Sequence, residues 1–228
     1  MLQQTQVSRV IPKFATFIKA YPSFEALAVA PLSEVLRMWS GLGYNRRAKF
    51  LLQTAQLVTG QYSGHLPNRH ADLVALPGVG HNTAGAIRAY AFNEPAVFVE
   101  TNIRTVFIHH FFGHGDKVSD AVLLPLIQES TPVADVRGWY WALMDYGTHL
   151  KQTVGNVSQA SATYTKQSAF HGSKRRIRGQ VIRLLTRRPH TFEGLDEHIS
   201  DGRLRGVLDD LMQEGFIECA DSYYHLRA

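Results

Sequence analysis

Cysteine is almost absent from this chain of 228 residues. Its single cysteine, Cys219, excludes an internal disulfide and a metal centre built from several thiolates, so packing must hold the fold together. Long apolar runs are also missing, since no window approaches the roughly 20 residues that span a bilayer, and no signal-peptide pattern follows Met1. The missing apolar runs and signal peptide predict a soluble, cytoplasmic protein without a membrane partner, and we separately expect a monomer.

The charge of the chain is mildly basic. It carries 24 Lys and Arg against 19 Asp and Glu, with a net charge of +5 and a pI near 9.4. This excess suits a polyanion partner without requiring one. A hydrophobic content of 45% is enough for one good-sized core and a small second domain.

Apolar residues recur at helical spacing from Val7 to about Thr153, which predicts a mostly α fold. Two stripes are clear, and both are predicted to be core faces. The first is Val10, Ile11, Phe14, Phe17 and Ile18, and the second is Leu32, Val35, Leu36 and Trp39.

The polar stretch 155–173 indicates an irregular or short-helical connector before the basic run Lys174, Arg175 and Arg176. Two helical patterns then end at Pro189 and Gly215, and two short strands flank Asp221-Ser222. This order predicts a C-terminal winged-helix-like α+β segment, with domains at 1–168 and 169–228. Such a segment serves either as a second DNA contact, through the basic run, or as a packing or partner-binding appendage.

The most informative motif is a hairpin between two predicted helices, one ending near Ala75 and the next beginning near Thr83. Its glycines allow a tight turn in which backbone N–H groups point at an anion such as a phosphate. Its carbonyls can also face a monovalent cation, and the alternative is a plain helix corner. The hairpin residues are Leu76, Pro77, Gly78, Val79 and Gly80.

Four segments together resemble the MutY-type adenine DNA glycosylases of the endonuclease III (helix-hairpin-helix) superfamily. They are the segment MLQQTQV at 1–7, GLGY at 41–44, LPGVG at 76–80 followed by TAGA at 83–86, and MDYG at 144–147. The resemblance covers about residues 1–150 and implies the fold of that superfamily.

The resemblance also implies a function in base excision repair: hydrolysis of the N-glycosidic bond of adenine mispaired with 8-oxoguanine or guanine in double-stranded DNA. Such chemistry needs the base flipped out of the stack and something to fill the gap. Gln4 and Tyr44 match the family positions that wedge into the duplex. For Tyr44 alone, a partly buried helix-end aromatic is an equal alternative.

Three polar residues match catalytic or pocket positions of the family. Asn82 stands where bifunctional members carry a lysine, which implies a monofunctional enzyme without a Schiff base from that position. Glu100, after three apolar residues, replaces the usual Asp as the catalytic carboxylate, with helix capping as its alternative. Asp145 matches a position near the adenine pocket, or else caps a helix.

The chain departs from the family in three ways. A general-acid Glu that precedes the MLQQ segment in relatives is missing, so we expect a reading frame that extends upstream of Met1. The large domain that reads 8-oxoguanine is also missing. The positions of the four iron–sulfur ligands lack thiolates, which predicts that no cluster forms. These positions hold Lys151, Ser158, Ser161 and Gln167, and Lys151, Lys166 and Lys174 are expected to substitute for the cluster's structural and DNA-facing role.

Two questions stay open at the level of sequence. His109, His110 and His114 suggest a metal site, but no acid or cysteine set completes it and adjacent helical histidines point apart, so no metal is predicted. The function has two alternatives: a noncatalytic DNA-binding protein that retains the fold, or an endonuclease III-like glycosylase for oxidised pyrimidines, which Asn82 disfavours. We expect the protein to be associated with the nucleoid.

Overall fold

The computed structural model describes residues 1–113, 116–165 and 169–227. These residues are mostly helical, as predicted, with one small antiparallel sheet. In chain order the elements are α1 Val7–Ala20, α2 Phe24–Ala28, α3 Leu32–Trp39, α4 Arg46–Gln61, α5 His70–Val74, α6 His81–Ile87, a π-helix Arg88–Phe92, α7 Thr101–Phe111, α8 Asp120–Ser130, α9 Val136–Thr153, a 3-10 helix Val157–Ala160, α10 Lys174–Leu185, α11 Phe192–Ile199, α12 Leu204–Gln213, β1 Ile217–Ala220 and β2 Tyr223–Leu226.

The chain forms two compact units. The first joins the two ends of the chain, Met1–Leu66 and Ser168–Ala228, and the second is Pro67–Gln167. The predicted division between 168 and 169 lies one residue from a boundary of these units, and the grouping of the first 66 residues with the last segment was not part of the prediction. The predicted domains of function, 1–168 and 169–228, stay a prediction.

One apolar core runs through the first unit. Trp39 of α3 and Leu52 of α4 belong to the same buried cluster as Val181 of α10, Leu208 of α12 and Phe216 before β1. Helices from both ends of the chain therefore bury their apolar faces together, and neither set is covered without the other.

The last part of this unit has the order of a winged helix. Three helices, α10 to α12, precede an antiparallel hairpin whose turn residues, Asp221 and Ser222, have φ of 49° and 66°. Between α10 and α11, His190 pairs with Tyr224 of β2 through backbone bonds of 3.1 and 2.8 Å. The predicted helices and strands are confirmed, and α11 is an additional short helix.

One of the two predicted core stripes is wrong in part. On α3, all four stripe residues are buried. On α1, Val10 and Phe17 are buried, whereas Ile11, Phe14 and Ile18 are 63%, 54% and 46% exposed. The α1 face is therefore apolar over a wider arc than the described residues of its unit cover.

The second unit is built around the packing of α7 against α9. Ile103 of α7, Tyr140 of α9 and Phe98 are buried in its core, and the Tyr140 hydroxyl donates to the Ala96 carbonyl at 2.7 Å. Gly147 of α9 lets the helices approach closely, because a Cβ there would lie 2.7 Å from the Asn102 Cβ. Among the helices of the described residues, none has the length and apolarity needed to span a bilayer.

Candidate active site

The hairpin of the second unit has the geometry of a tight turn with an open outer face. Gly78 has φ of +73°, and the Val79 N–H donates to the Leu76 carbonyl at 3.1 Å. The Leu76 side chain is buried and anchors the turn, while Gly78 and Gly80 are exposed. A Cβ at Gly80 would meet nothing within 4 Å, so a ligand can approach this backbone closely.

The helix after the hairpin begins at His81, two residues earlier than predicted. This start brings His81 opposite His70 at the start of α5, with His70 Nε2 and His81 Nδ1 3.1 Å apart and the rings stacked. A hydrogen bond between two imidazoles therefore links the helices on either side of the hairpin. Sequence reasoning missed this pair because the two histidines are 11 residues apart and match no motif.

Glu100 stands at the first turn of α7. Its Oε2 accepts a hydrogen bond from the Asn102 N–H at 2.8 Å, which makes it the N-cap of the helix. The capping alternative is therefore correct in geometry, but it uses one oxygen only. The other oxygen, Oε1, accepts no hydrogen bond from any residue that the structure describes, and the side chain is half-buried.

Asn82 lies beside the segment that carries Glu100. Its Oδ1 accepts a hydrogen bond from the Val99 N–H at 3.3 Å. The structure thus brings together two of the predicted site residues, since Val99 directly precedes Glu100. Asn82 is exposed at the start of α6, where a longer amine-bearing side chain would have room to extend.

Three residues that interact with Glu100 or its neighbours were not predicted as site residues: Tyr90, Asn102 and Lys151. Lys151 of α9 donates from Nζ to Asn102 Oδ1, and burial lowers the pKa of Lys151 while the charge of Glu100 partly offsets this effect. Burial, with a further contribution from the charge of Glu100, raises the pKa of Tyr90 to about 12. Tyr90 lies in the π-helix Arg88–Phe92, and such bulges are frequent at functional sites.

Asp145 is an exposed residue in the middle of α9. The alternative that it caps a helix is wrong, because the cap of α9 is Asp135, whose Oδ1 accepts from the Gly138 N–H at 2.9 Å. Its role in an adenine pocket stays a prediction.

The first unit carries the two predicted wedge residues in strained turns. Gln4 and Tyr44 have φ of 53° and 48°, in the left-handed region that residues other than glycine rarely adopt. Each such residue costs of order 1–3 kcal/mol, and strain of this kind concentrates at functional sites. Both residues are exposed, and Tyr44 at 38% lies just before α4, so the alternative of a partly buried helix-end aromatic stays open beside its predicted role as a wedge.

Arg47 connects the loops that carry these two residues. Its Nη1 donates to the carbonyls of Met1 and Gln3 at 2.8 and 2.6 Å, and its Nη2 donates to the Leu42 and Gly43 carbonyls at 3.2 and 3.1 Å. The same nitrogen donates to Thr5 Oγ1 at 2.9 Å. Burial lowers the pKa of Arg47, as expected for a guanidinium enclosed by backbone.

The guanidinium of Arg47 also lies 5.6 Å from the centre of the Tyr44 ring. Arg175 of α10 donates to the Tyr44 hydroxyl at 2.7 Å. These two arginines hold the Tyr44 ring from different parts of the sequence, so its position is fixed before any ligand binds.

The three residues of the predicted basic run, Lys174, Arg175 and Arg176, differ in their contacts. Arg175 contacts Tyr44, and Lys174 lies 3.8 Å from Asp210 of α12 in an exposed ion pair. Arg176 is exposed at the outer face of α10. Among the described residues, no ion pair within 4.0 Å involves Arg176.

The positions aligned with iron–sulfur ligands are engaged in other contacts. Ser158 and Ser161 are buried, and Ser158 Oγ lies 2.7 Å from Thr105 Oγ1. Four thiolates are needed for such a cluster and the chain has one cysteine, so these residues do not fit it. Gln167 and Lys166 lie outside the described residues.

The His109 and His110 rings do not point apart as predicted, since their centres are 4.8 Å from each other in an edge-on contact. His110 Nε2 also lies 2.8 Å from the Tyr146 hydroxyl. Within 1–113, 116–165 and 169–227 there is no group of three or more His, Cys, Asp or Glu side chains placed to hold a metal ion. His114 lies outside these ranges.

Known proteins similar to this chain are DNA repair glycosylases. A family model described as HhH-GPD superfamily base excision DNA repair protein matches residues 1–125. The adenine DNA glycosylase of Buchnera aphidicola subsp. Baizongia pistaciae is 38% identical over 148 residues, which are 64% of this chain and 42% of that protein. The adenine DNA glycosylase of Mycolicibacterium smegmatis is 30% identical over 239 residues, covering 96% of this chain and 81% of that protein.

A solved structure of a thermostable thymine-DNA glycosylase matches with a TM-score of 0.59 and 28% identity, over 64% of this chain and 69% of that one. The chain therefore belongs to the HhH-GPD superfamily of base excision DNA repair proteins. The predicted family and fold class are confirmed. The chain spans less than half the length of the Buchnera relative.

Proposed function

We propose that this protein excises adenine from mispairs in double-stranded DNA by hydrolysing its N-glycosidic bond. The observation that carries this proposal is the placement of Glu100, which caps α7 with one carboxylate oxygen and leaves the other without a donor among the described residues. The names of the two bacterial relatives support adenine as the base. The partner base, 8-oxoguanine or guanine, is part of the proposal.

Glu100 acts on the charge that develops at the sugar. As the bond between C1′ and the base nitrogen breaks, the sugar takes on oxocarbenium character, and a nearby carboxylate stabilises this positive charge. Water then adds to C1′ and its oxygen becomes the sugar hydroxyl with one of its protons, while the proton that this water loses balances the one that the departing adenine takes up from solvent. The hydrogen bond to the Asn102 N–H fixes the carboxylate, so its charge is oriented in advance of the reaction.

Asn82 determines what happens after excision. Its amide cannot form a Schiff base with the abasic sugar, and it binds the Val99 N–H instead. We therefore expect a monofunctional enzyme whose product is an intact strand with an abasic site.

Binding to DNA is assigned to three groups of residues. Gln4 and Tyr44 enter the duplex, with Arg47 and Arg175 holding their loops. The exposed backbone of the hairpin at Leu76, Gly78, Val79 and Gly80 binds a phosphate, with a monovalent cation as a predicted bridge. Lys174, Arg175 and Arg176 supply positive charge to the DNA backbone.

The test is an excision assay with the full chain. Duplexes that contain adenine opposite 8-oxoguanine or guanine are incubated with protein, and alkali then converts abasic sites into strand breaks. We expect breaks that appear only after alkali. If neither duplex is broken while DNA binding is retained, the result favours the noncatalytic DNA-binding alternative. Excision of oxidised pyrimidines in place of adenine favours the endonuclease III-like glycosylase.

Glu100→Gln removes the negative charge with little change of shape. We expect excision at least about 100-fold slower, with DNA affinity largely retained, because the lost interaction acts in the transition state. Glu129→Gln, an exposed acid of α8 in the same unit, is the matched control and should excise normally. Full activity of Glu100→Gln would place the catalytic carboxylate elsewhere.

A further inference from the structure

The C-terminal winged-helix segment has a strongly uneven distribution of charge. Residues 170–192 contain seven Lys and Arg and no acid. Residues 193–222 contain nine Asp and Glu and only two Arg. Because the first range contains α10 and the second contains α11, α12 and β1, a polyanion is attracted to one side of this segment and repelled by the other.

The outward face of α10 carries this positive charge. Ile177 and Val181 are buried on the inner side, whereas Arg176, Gly179 and Arg183 are exposed. Residues three, four and seven apart share one face of a helix, so these three form a single row. Arg187, four residues beyond Arg183 in the turn after α10, is also exposed and extends this row. We call these four residues the α10 ridge.

Two basic residues of this helix, Lys174 and Arg178, have acidic partners, but the ridge arginines at its far end do not. Arg178 bonds Glu214 at 3.0 and 2.6 Å, and Lys174 lies 3.8 Å from Asp210. In the described part of the chain, neither Arg183 nor Arg187 forms an ion pair. Their charges are therefore available to an external anion.

A glycine in the middle of the ridge favours a partner that comes close to the helix backbone. Glycine inside a helix costs about 0.5–1 kcal/mol relative to alanine. A Cβ at Gly179 would meet nothing within 4 Å, so the packing of the protein itself does not require the glycine. A partner lying across the helix between Arg176 and Arg183 can therefore come close to the helix backbone at this position.

The usual reading helix of a winged helix, α12, does not suit DNA here. It follows α11 as the second helix of a helix-turn-helix, which normally enters the major groove. Asp209 is exposed near its C-terminal end, Asp210 is half-buried beside Lys174 of α10, and the hairpin beyond it carries the exposed Glu218 and Asp221, against one exposed Arg205 near the start of the helix. With α12 in the groove, the exposed Asp209, Glu218 and Asp221 would bring negative charge close to the phosphates and weaken binding.

We propose that the winged-helix segment binds the DNA backbone through the α10 ridge and not through α12. This inference rests on the proposed function only in that DNA is the partner. The ridge starts next to Arg175, whose guanidinium contacts the Tyr44 hydroxyl, so it continues from a residue assigned to the duplex. From Arg176 to Arg183 the helix rises about 10 Å, which matches roughly three base-pair steps of about 3.4 Å.

The first experiment measures affinity for an undamaged duplex as a function of salt. The double variant Arg183→Gln/Arg187→Gln should lower the slope of log affinity against log salt by about two, since each lost phosphate contact contributes about 0.9. Arg205→Gln/Arg227→Gln removes the same charge from two exposed arginines outside the ridge and should leave the slope nearly unchanged. Equal slope changes in both double variants would overturn the proposal.

The second experiment uses matched glycines. Gly179→Gln places a side chain on the ridge, and Gly206→Gln places one on α12, where an added Cβ also meets nothing within 4 Å. We expect weaker binding, by about 10-fold or more, for Gly179→Gln alone, with the melting temperatures of both variants close to that of the unsubstituted protein. Weaker binding for Gly206→Gln alone would show that α12 contacts DNA and would overturn the proposal.

Both experiments can be interpreted even when the protein excises no adenine, because they measure binding to undamaged DNA. A protein that binds with the expected ridge dependence but shows no excision contradicts the proposed function only. A protein that excises adenine with no ridge dependence contradicts this inference only.

Discussion

Arg47 serves as a multiple donor to two loops that are distant in the sequence. Its guanidinium satisfies carbonyls of both the Met1 loop and the Gly43 loop, and the planar fork of five N–H donors suits this task better than an ammonium group. Because Gln4 and Tyr44 sit in strained turns of these loops, their conformations depend on the contacts that Arg47 makes.

We predict that Arg47→Met lowers the free energy of unfolding by about 1–3 kcal/mol, since it removes five hydrogen bonds to two loops and leaves the Met1 carbonyl without a donor among the described residues. Arg47→Lys keeps the charge but reaches fewer acceptors, and should be intermediate in both stability and excision rate. Denaturant unfolding and single-turnover excision measure the two effects. Arg37→Met, an exposed arginine of α3, is the control, and an Arg47→Met variant indistinguishable from it would contradict a positioning role.

At the same scale, the sequence indicates some site residues better than others. Glu100 stands out because a carboxylate directly after three apolar residues is unusual on a surface. Lys151 does not stand out, because its contact is with Asn102, 49 positions away. Arg47 reads as an ordinary residue of a basic helix start, and only the folded loops show which carbonyls surround it. Contacts of this kind follow from tertiary structure, which spacing does not encode.

The packing of α7 against α9 places Glu100 relative to the rest of its unit. A Cβ on Gly147 would lie 2.7 Å from the Asn102 Cβ and would also overlap the Asn102 carbonyl oxygen. Since Asn102 donates its N–H to Glu100, any displacement of α7 moves the catalytic carboxylate as well.

We therefore predict that Gly147→Ala separates these helices, with a loss of about 1–3 kcal/mol of stability from overpacking. A displacement near 1 Å can cost about 100-fold in rate, so excision should fall more than DNA affinity does. Thermal unfolding and single-turnover excision test this expectation. Gly60→Ala in α4, where an added Cβ meets nothing within 4 Å, should be at least as stable as the unsubstituted protein and fully active.

Helices were predictable from sequence where the apolar periodicity runs over many residues, and less so where tertiary packing determines which residues are buried. The terminal strands and α10 and α12 follow from apolar spacing and from breaks at Pro189 and Gly215. The eight-residue helix α11 has one fully buried position, Leu195, and so gives little periodic signal. On α1, periodicity correctly shows an apolar face but does not show that Ile11 and Phe14 are left exposed.

At the scale of the whole chain, the first unit closes by joining its two ends. Glu214, after α12, accepts bonds from Arg46 of α4 at 2.9 and 2.5 Å and from Arg178 of α10 at 3.0 and 2.6 Å. Lys49 donates to the Glu214 backbone carbonyl as well. No local pattern predicts that residues 168 positions apart meet, so this contact could not be expected from the sequence.

This carboxylate makes stability depend on acid pH. Hydrogen bonds from Arg46, and then those from Arg178, lower the pKa of Glu214 to about 2 in the folded protein, from an ordinary value of 4.5. Between these two values the unfolded chain binds more protons than the folded one, so stability falls as the pH is lowered. The contribution is complete above about pH 4.5 and lost as the pH approaches 2.

We predict that Glu214→Gln is less stable than the unsubstituted protein at pH 7, by about 1–3 kcal/mol, because two guanidinium groups lose their anion. Below pH 4.5 the two unfolding curves should converge, since protonation removes the same charge from the unsubstituted protein. Urea unfolding at a series of pH values measures the difference. Glu197→Gln, an exposed acid of α11, should show no such convergence. If the difference in the free energy of unfolding between Glu214→Gln and the unsubstituted protein stayed constant down to pH 2, the charge of Glu214 would not be what stabilises the contact between the two ends of the chain.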